Sequence, residues 1–141
     1  MKTTLPSRRQ RLRTATLDEI KATAWQQIAE HGAPALSLRE ITRRMGMTAP
    51  ALYRYYADRD ALVTALIIDA FTSFAVSLEA ARDALPSNDH AGRFRAIASA
   101  YRGWAVDNPQ KYSLIFVTPI PSYHIPPEVE PAGQRSFLVL V

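Results

Sequence analysis

Arginine and tyrosine side chains are concentrated around one short segment in the first half of this 141-residue chain. The set consists of Arg39, Arg43, Arg44, Tyr53, Arg54, Tyr55, Tyr56 and Arg59. A guanidinium is planar and can donate two parallel hydrogen bonds to a phosphate or to guanine O6 and N7. A tyrosine hydroxyl can also reach a phosphate. These residue types indicate binding of a polyanion, although Tyr56 is expected to pack with Leu52 inside the fold.

The formal charge follows the same distribution. The chain has 17 Lys and Arg against 13 Asp and Glu. Residues 1–60 hold eleven of the basic residues and six of the acidic ones, whereas residues 61–141 hold six and seven. Residues 1–13 contain five basic residues and no acidic one. This asymmetry predicts that nucleic acid contacts the first half, with a solvated basic tail as the alternative for residues 1–13.

Apolar residues recur at helical spacing throughout, and no stretch alternates as a strand would. We predict an unstructured arm over residues 1–13 and helices over residues 17–31, 37–45, 48–56 and 59–85. Gly32, followed by Pro34, ends the first helix. Ser37 is the predicted N-cap of the second helix, with Glu40 at capping-box spacing. Asp58 is the predicted cap of the fourth.

The second and third predicted helices are separated by only about three residues. Gly46 supplies the left-handed residue that ends the second helix, and Thr48 caps the third, in whose first turn Pro50 is tolerated. Such a short turn makes the helices cross steeply, as in DNA-binding helix-turn-helix units. The N-terminal residues of the later helix then meet base edges in the major groove. An ordinary helical corner has the same spacing and is the alternative.

At these residues the sequence resembles the TetR family of transcription repressors. The resemblance is carried by residues 35–41, by the run Met-Gly-Met-Thr-Ala-Pro-Ala-Leu-Tyr-Arg-Tyr-Tyr at 45–56, and by Arg-Asp-Ala-Leu at 59–62. It implies an all-α fold in which a three-helix DNA-binding domain at residues 14–60 joins, through a long helix, a helical ligand-binding and dimerisation domain at 61–141. Arg54 and Ala49 depart from the commonest family residues.

The resemblance also implies the residues that contact DNA. They are Ser37, Arg39, Thr48, Ala49, Pro50, Ala51, Tyr53, Arg54, Tyr55 and Arg59. Arg39 is expected to reach a base, most plausibly guanine, while Ser37, Thr48, Tyr53, Tyr55 and Arg59 hold phosphates. The arm residues Arg8, Arg9, Arg11 and Arg13 enter the minor groove or make non-specific phosphate contacts.

The second half carries an aromatic stripe from Phe94 to Phe116, interrupted at Asn108-Pro109. Such a stripe either belongs to the hydrophobic core or lines a pocket. The resemblance to the TetR family favours a pocket formed by Phe71, Phe74, Tyr101 and Trp104. Five prolines in residues 119–131 predict an extended loop. The chain ends on an apolar run after Gly133, which predicts an incomplete domain and weakens the expected homodimer.

Other chemistry has little support in the sequence. There is no cysteine, no nucleophile elbow, no phosphate-binding glycine loop and no metal-binding histidine pair, so we expect neither an enzyme nor a cofactor or metal site. Asp69 lies within the most apolar stretch, residues 61–76, which argues against a membrane span and for a buried helix. No targeting segment is evident, and a cytoplasmic, nucleoid-associated protein is expected.

Two functions therefore remain. The first is a repressor that binds a palindromic operator in double-stranded DNA as a homodimer and releases it when a small apolar ligand binds. The second is a helical carrier or sensor of apolar small molecules whose basic first half only solubilises it. The ligand, the operator and the regulated genes are not specified by the sequence.

Overall fold

The computed structural model describes residues 3–141. Seven α-helices follow one another: α1 (Arg8–His31), α2 (Leu38–Met45), α3 (Ala49–Tyr53), α4 (Arg59–Asp83), α5 (His90–Asp107), α6 (Pro109–Tyr112) and α7 (Glu130–Leu138). The described residues contain no β-strand, so the predicted all-α class is confirmed. The chain divides into two compact units, one extending up to Leu62 and the other starting at Val63.

Helix α1 begins earlier than predicted. The Ser7 hydroxyl accepts a hydrogen bond from the Gln10 backbone N–H (3.2 Å), and the Gln10 side chain accepts one from the Ser7 N–H (2.7 Å). This reciprocal capping box satisfies two backbone donors at the helix start. The expected unstructured arm over residues 1–13 is therefore wrong from Arg8 onward, while Met1 and Lys2 lie outside the described residues.

The glycines at the ends of α1 and α2 have positive φ angles. Gly32 has φ +82° and is followed by a 3-10 turn over Ala33–Ala35, and Gly46 has φ +64° in the left-handed region. The Gly46 and Met47 N–H groups donate to carbonyl oxygens in the last turn of α2. Three residues, 46–48, separate the end of α2 from the start of α3. The predicted helix–turn–helix geometry is therefore present, with α3 shorter than expected.

The core of the first unit is formed by the apolar faces of α1, α2 and α3 and by Leu62 in the first turn of α4. Ile20, Ile41, Leu52 and Leu62 are at most 1% exposed. Tyr56 is also buried, which confirms its predicted packing role. The core therefore anchors α3 through Leu52 and leaves Thr48, Ala49 and Pro50 exposed.

Gln27 is a polar member of this core and positions the start of α2. It is buried, and its side-chain oxygen accepts a hydrogen bond from the Ser37 N–H (3.1 Å). The Ser37 hydroxyl accepts from the Glu40 N–H (3.3 Å), so the predicted cap is confirmed. Because Gln27 takes the Ser37 N–H, Glu40 does not complete the capping box that its spacing suggests.

The second unit is built around an aromatic and aliphatic cluster. Phe74, Leu78, Ile97, Trp104 and Val139 are its buried members. Helix α5 ends at Asp107 and α6 restarts at Pro109, as predicted, and α6 continues into a π-helical turn over Ser113–Val117. The proline-rich segment is not extended throughout: a 3-10 turn over Pro127–Val129 leads into α7, with Pro131 in its first turn.

Helix α4 (Arg59–Asp83) is long and apolar enough to cross a membrane by length and composition alone. Half of its most apolar window is buried inside the fold, as in the core helix of a globular protein. A core helix passes the same test of length and composition, so this feature alone is weak support for a membrane span.

Candidate nucleic-acid interface

The first turn of α3 lies on the surface of the first unit. The Thr48 hydroxyl caps it by accepting a hydrogen bond from the Ala51 N–H (3.3 Å). Thr48, Ala49 and Pro50 are exposed, and Ala51 is half-buried. Three predicted contact residues thus form an accessible helix tip of small side chains, which allows close approach to a flat or grooved partner.

Tyr53, the last residue of α3, and Arg54, which follows it, extend this surface. The Tyr53 ring is 54% exposed, although tyrosine rings usually bury much of their area. Arg54 is exposed, and within residues 3–141 it makes no ion pair. Tyr55 is half-buried.

The arginines of α2 separate into paired and unpaired side chains. Arg43 and Arg44 both donate to the Glu40 carboxylate (2.6 Å and 2.9 Å), and Arg44 also reaches Glu30 on α1 (2.6 Å). Hydrogen bonds from Arg43 and Arg44 lower the pKa of Glu40 to about 2, and Arg44 lowers the pKa of Glu30. The Arg44–Glu30 pair ties α2 to α1, while the Glu40 pairs lie within α2.

Arg39 is the arginine of α2 that is left available. It lies in the first turn, is exposed, and has no ion-pair partner in the part of the chain that the structure describes. Two other predicted residues have intramolecular partners. Arg59 donates to the adjacent Asp60 carboxylate (3.2 Å), and Ser37 is half-buried as the cap of α2.

Three of the four predicted arm arginines line a groove between α1 and the helix–turn–helix. We call it the basic groove; it has a volume of about 1130 Å³, and its charged and aromatic lining consists of Arg8, Arg9, Arg13, Glu19, Arg54 and Tyr55. The Arg13 guanidinium lies 4.9 Å from the centre of the Tyr55 ring, which is cation–π distance. Arg11 does not line the groove and donates to the Pro6 carbonyl (2.7 Å).

The second unit contains an apolar cleft of about 390 Å³. Its lining includes Phe74, Phe94, Tyr101, Phe116, Phe137 and Leu140, and the residues that line it include no Asp, Glu, Lys or Arg. Of the predicted pocket residues, Phe74 and Tyr101 are on its wall. Burial and a hydrogen bond with Tyr112 raise the pKa of the Tyr101 phenol, so its neutral form is favoured further.

The other two predicted pocket residues lie elsewhere in this unit. The buried Trp104 donates its indole N–H to Ser73 Oγ (3.0 Å) and packs its ring against Phe74 at 4.9 Å between centroids. Phe71 is half-buried and packs edge-on against Phe116. Neither is among the residues that line the apolar cleft.

Comparison with known proteins agrees with this geometry. The family model described as Bacterial regulatory proteins, tetR family, matches residues 20–66. The model described as Tetracyclin repressor-like, C-terminal domain, matches residues 94–141. This chain belongs to the tetR family.

Individual relatives of this tetR-family chain are regulators by name. The HTH-type transcriptional regulators Rv1816 of Mycobacterium tuberculosis and Mb1846 of Mycobacterium bovis are each 44% identical to it over 103 residues. These alignments cover 73% of this chain and 44% of each relative, so the chain spans less than half the length of its curated relatives.

Solved structures give the same picture for the tetR-family fold. The regulatory protein SCO4313 superposes with a TM-score of 0.84 at 47% identity, over 96% of this chain and 63% of its own. A protein of unknown function from Rhodococcus sp. RHA1 superposes with a TM-score of 0.74 at 27% identity, over 87% of this chain and 62% of its own.

Sequence reasoning missed residues that position the tetR-family helix–turn–helix. Gln27 falls on the same helical face as Ile20, Ala24 and Ile28, and a glutamine on an apolar face is a signal for a buried hydrogen bond. Glu30 lies fourteen residues before its partner Arg44, and no local pattern indicates that pair. Among residues 3–141, no group of three or more His, Asp and Glu could hold a metal ion.

Proposed function

We propose that this chain is a transcriptional repressor that binds a palindromic operator in double-stranded DNA as a homodimer. The observation that carries the proposal is the exposed first turn of α3, which the buried Leu52 anchors to the core. It is flanked by Arg39 and Arg54, which have no ion-pair partner within residues 3–141. A small-residue tip between two free guanidiniums suits a major groove, where side chains read base edges and phosphates fix the register.

The exposure and the partners of each contact residue indicate which part of the DNA it contacts. Arg39 and Arg54 supply guanidiniums to base edges or phosphates, while Thr48, Tyr53 and Tyr55 supply hydroxyls to the backbone. Ala49, Pro50 and Ala51 give apolar contact, and Ser37 and Arg59 contribute phosphate contacts at the edges of the site. The repressor is expected in the cytoplasm, associated with the nucleoid, with no catalytic activity of its own.

The ligand that releases DNA is proposed to be an uncharged apolar molecule bound in the apolar cleft. Support comes from the cleft's aromatic lining, from its lack of ionised side chains, and from Tyr101, whose neutral phenol can hydrogen-bond to one polar group. A ligand releases DNA only if it binds the DNA-incompetent state more tightly. A ligand of equal affinity for both states has no effect.

Selection of bound sites from random duplex DNA tests the operator proposal. A repressor yields a palindromic consensus, and its affinity falls steeply with salt, with a log–log slope of about −0.9 for each phosphate contact. A helical carrier of apolar molecules, the alternative that the cleft favours, yields no consensus. Its ligand affinity is nearly independent of salt.

Titration with the uncharged dye Nile red tests the ligand proposal. Ala98 is exposed and lines the apolar cleft, so Ala98→Trp fills the cleft and should abolish dye binding. Ala91 is exposed on the same helix but does not line the cleft, so Ala91→Trp is the matched control. Equal dye binding by the two variants contradicts the assignment of the cleft.

A further inference from the structure

We propose that the basic groove binds the sugar–phosphate backbone of DNA beside the site read by α3. Arg8, Arg9, Arg13 and Arg54 are its phosphate ligands. This inference rests on the proposed DNA-binding function and adds a second contact region, on α1. It also replaces the expected minor-groove arm, because Arg8 to Arg13 belong to a helix.

The helical phase of α1 directs these arginines to one side. At about 100° per residue, Arg8, Arg9, Leu12 and Arg13 fall within one arc of about 140°, and they line the groove. Arg11 falls outside that arc. The capping box at Ser7 starts the helix just before Arg8, so the phase is set by a specific local structure.

The lining of the groove carries an excess of positive charge. Four arginines line it against a single carboxylate, that of Glu19. Among the arginines of residues 3–141, ion pairs are formed by Arg43, Arg44, Arg59, Arg82 and Arg135, and by none of the four groove arginines. Clustered cations repel one another, and a phosphate ligand removes that cost.

The dimensions of the groove suit a strand better than a single anion. Arg8 and Arg13 are separated by about 7.5 Å along the helix axis, and one DNA strand advances about 3.4 Å per phosphate. The arginines from Arg8 to Arg13 therefore span the length of roughly two to three phosphates. Arg54 and Tyr55 follow α3 directly, so the groove is continuous with the proposed major-groove surface.

Tyr55 holds one of the ligands in place. Its ring lies under the Arg13 guanidinium and restricts that side chain before DNA arrives. A side chain that is already ordered loses less conformational entropy on binding. The free guanidinium N–H groups can then donate to phosphate oxygens.

The test uses the full chain and two variants that each lose two exposed positive charges. Arg8→Ala/Arg9→Ala removes groove ligands, and Arg95→Ala/Arg102→Ala removes exposed arginines of α5 that do not line the groove. Binding to a flanked duplex carrying the selected site is measured against NaCl concentration. We expect the groove variant to lower the magnitude of the log–log slope by about 1.8, and the control to leave it unchanged.

Hydroxyl-radical footprinting supplies the second readout. The groove variant should lose backbone protection beside the selected site and keep the same consensus. Equal slopes and footprints for the two variants overturn this inference while the DNA-binding proposal stands. If the wild-type chain shows no salt-dependent DNA binding, both proposals fail.

A competition experiment separates a DNA backbone from a free anion. If inorganic phosphate displaces DNA from the wild type no better than chloride at equal ionic strength, the strand assignment holds. The proposal is wrong if phosphate displaces DNA better than chloride from the wild type but not from the groove variant, and if the footprints of the two variants match. The groove is then a site for a free anion.

Discussion

Residues up to Leu62 and residues from Val63 onward present different exposed surfaces and are held together differently. Within residues 3–62 the first unit exposes arginines that have no ion-pair partner, and its helix ends are set by side-chain caps and left-handed glycines. The second unit exposes aromatic and aliphatic side chains around an uncharged cleft, and its rings pack on one another. A polyanion suits the first surface, and an apolar molecule suits the second.

The same contrast applies to stability. The caps that start the helices of the first unit join residues three positions apart. The aromatic contact between Phe74 and Trp104 in the second unit joins residues thirty positions apart. Each cap contributes about 1 kcal/mol, and a buried aromatic ring contributes several times that amount. The predictions below test this difference.

The largest effect is expected for Phe74→Ala. Phe74 is 4% exposed and packs against Tyr101, Trp104 and Phe116, so its removal leaves a cavity and should lower the free energy of unfolding by about 3–5 kcal/mol. Phe94, which is 65% exposed, is the control, and Phe94→Ala should cost less than about 1 kcal/mol. Denaturant unfolding measures both, and similar losses would show that the aromatic cluster is not the source of stability.

The next effect concerns DNA and compares two arginines of α2. Arg39 is unpaired and Arg43 is paired with Glu40, so Arg39→Ala should remove preference at one base pair, at a cost of about 1–3 kcal/mol. Arg43→Ala should change affinity much less. Binding to the selected site and its single-base variants measures this. Equal losses of DNA affinity for the two variants would mean that ion pairing does not distinguish an arginine that contacts a base from one that stabilises the fold.

Two glycines isolate the contribution of backbone conformation. A Cβ at Gly46 or at Gly103 would meet no atom within 4 Å, but Gly46 has φ +64° while Gly103 lies within α5. Gly46→Ala should therefore destabilise the protein by about 1–2 kcal/mol, and Gly103→Ala should stabilise it by roughly 0.5–1 kcal/mol. Thermal unfolding measures the pair. A Gly46→Ala variant as stable as the wild type would show that the left-handed conformation at residue 46 does not require glycine.

Local signals allowed much of the helix–turn–helix to be predicted. The caps at Ser37 and Thr48 and the turn at Gly46 depend on neighbours within a few residues, so composition and spacing indicate them. The same kind of signal, Ser7 with Gln10, was present before α1, but the basic charge of residues 1–13 suggested an arm. The buried hydrogen bond from Ser37 to Gln27 depends on how two helices pack, and spacing within one helix does not indicate it.

The apolar cleft was harder to predict for a physical reason. A helical stripe shows which side chains share a face, but not whether a neighbouring element covers that face. Trp104 is covered and hydrogen-bonded, while Tyr101, three residues earlier, borders open space. Phe137 and Leu140, near the end of the chain, complete the cleft wall through contacts that sequence periodicity does not encode.

The smallest effect concerns Glu40, whose pKa is lowered from an ordinary value of 4.5 to about 2 by hydrogen bonds from Arg43 and then Arg44. A carboxyl group whose folded-state pKa is depressed stabilises the protein above its unfolded-state pKa. That contribution is lost as pH falls from 4.5 through about 2. The melting temperature of the wild type should therefore fall more across this window than that of Glu40→Gln.

Salt provides the control for this last comparison. The Glu40 pairs are partly exposed, so roughly 1 M NaCl, with a Debye length of about 3 Å, should bring the two pH profiles together. Parallel profiles at low salt would show that the Glu40 pairs do not stabilise α2. The pairing of Arg43 and Arg44 would then serve only to hold their charges away from DNA, and Glu40→Gln should increase non-specific DNA affinity without changing stability.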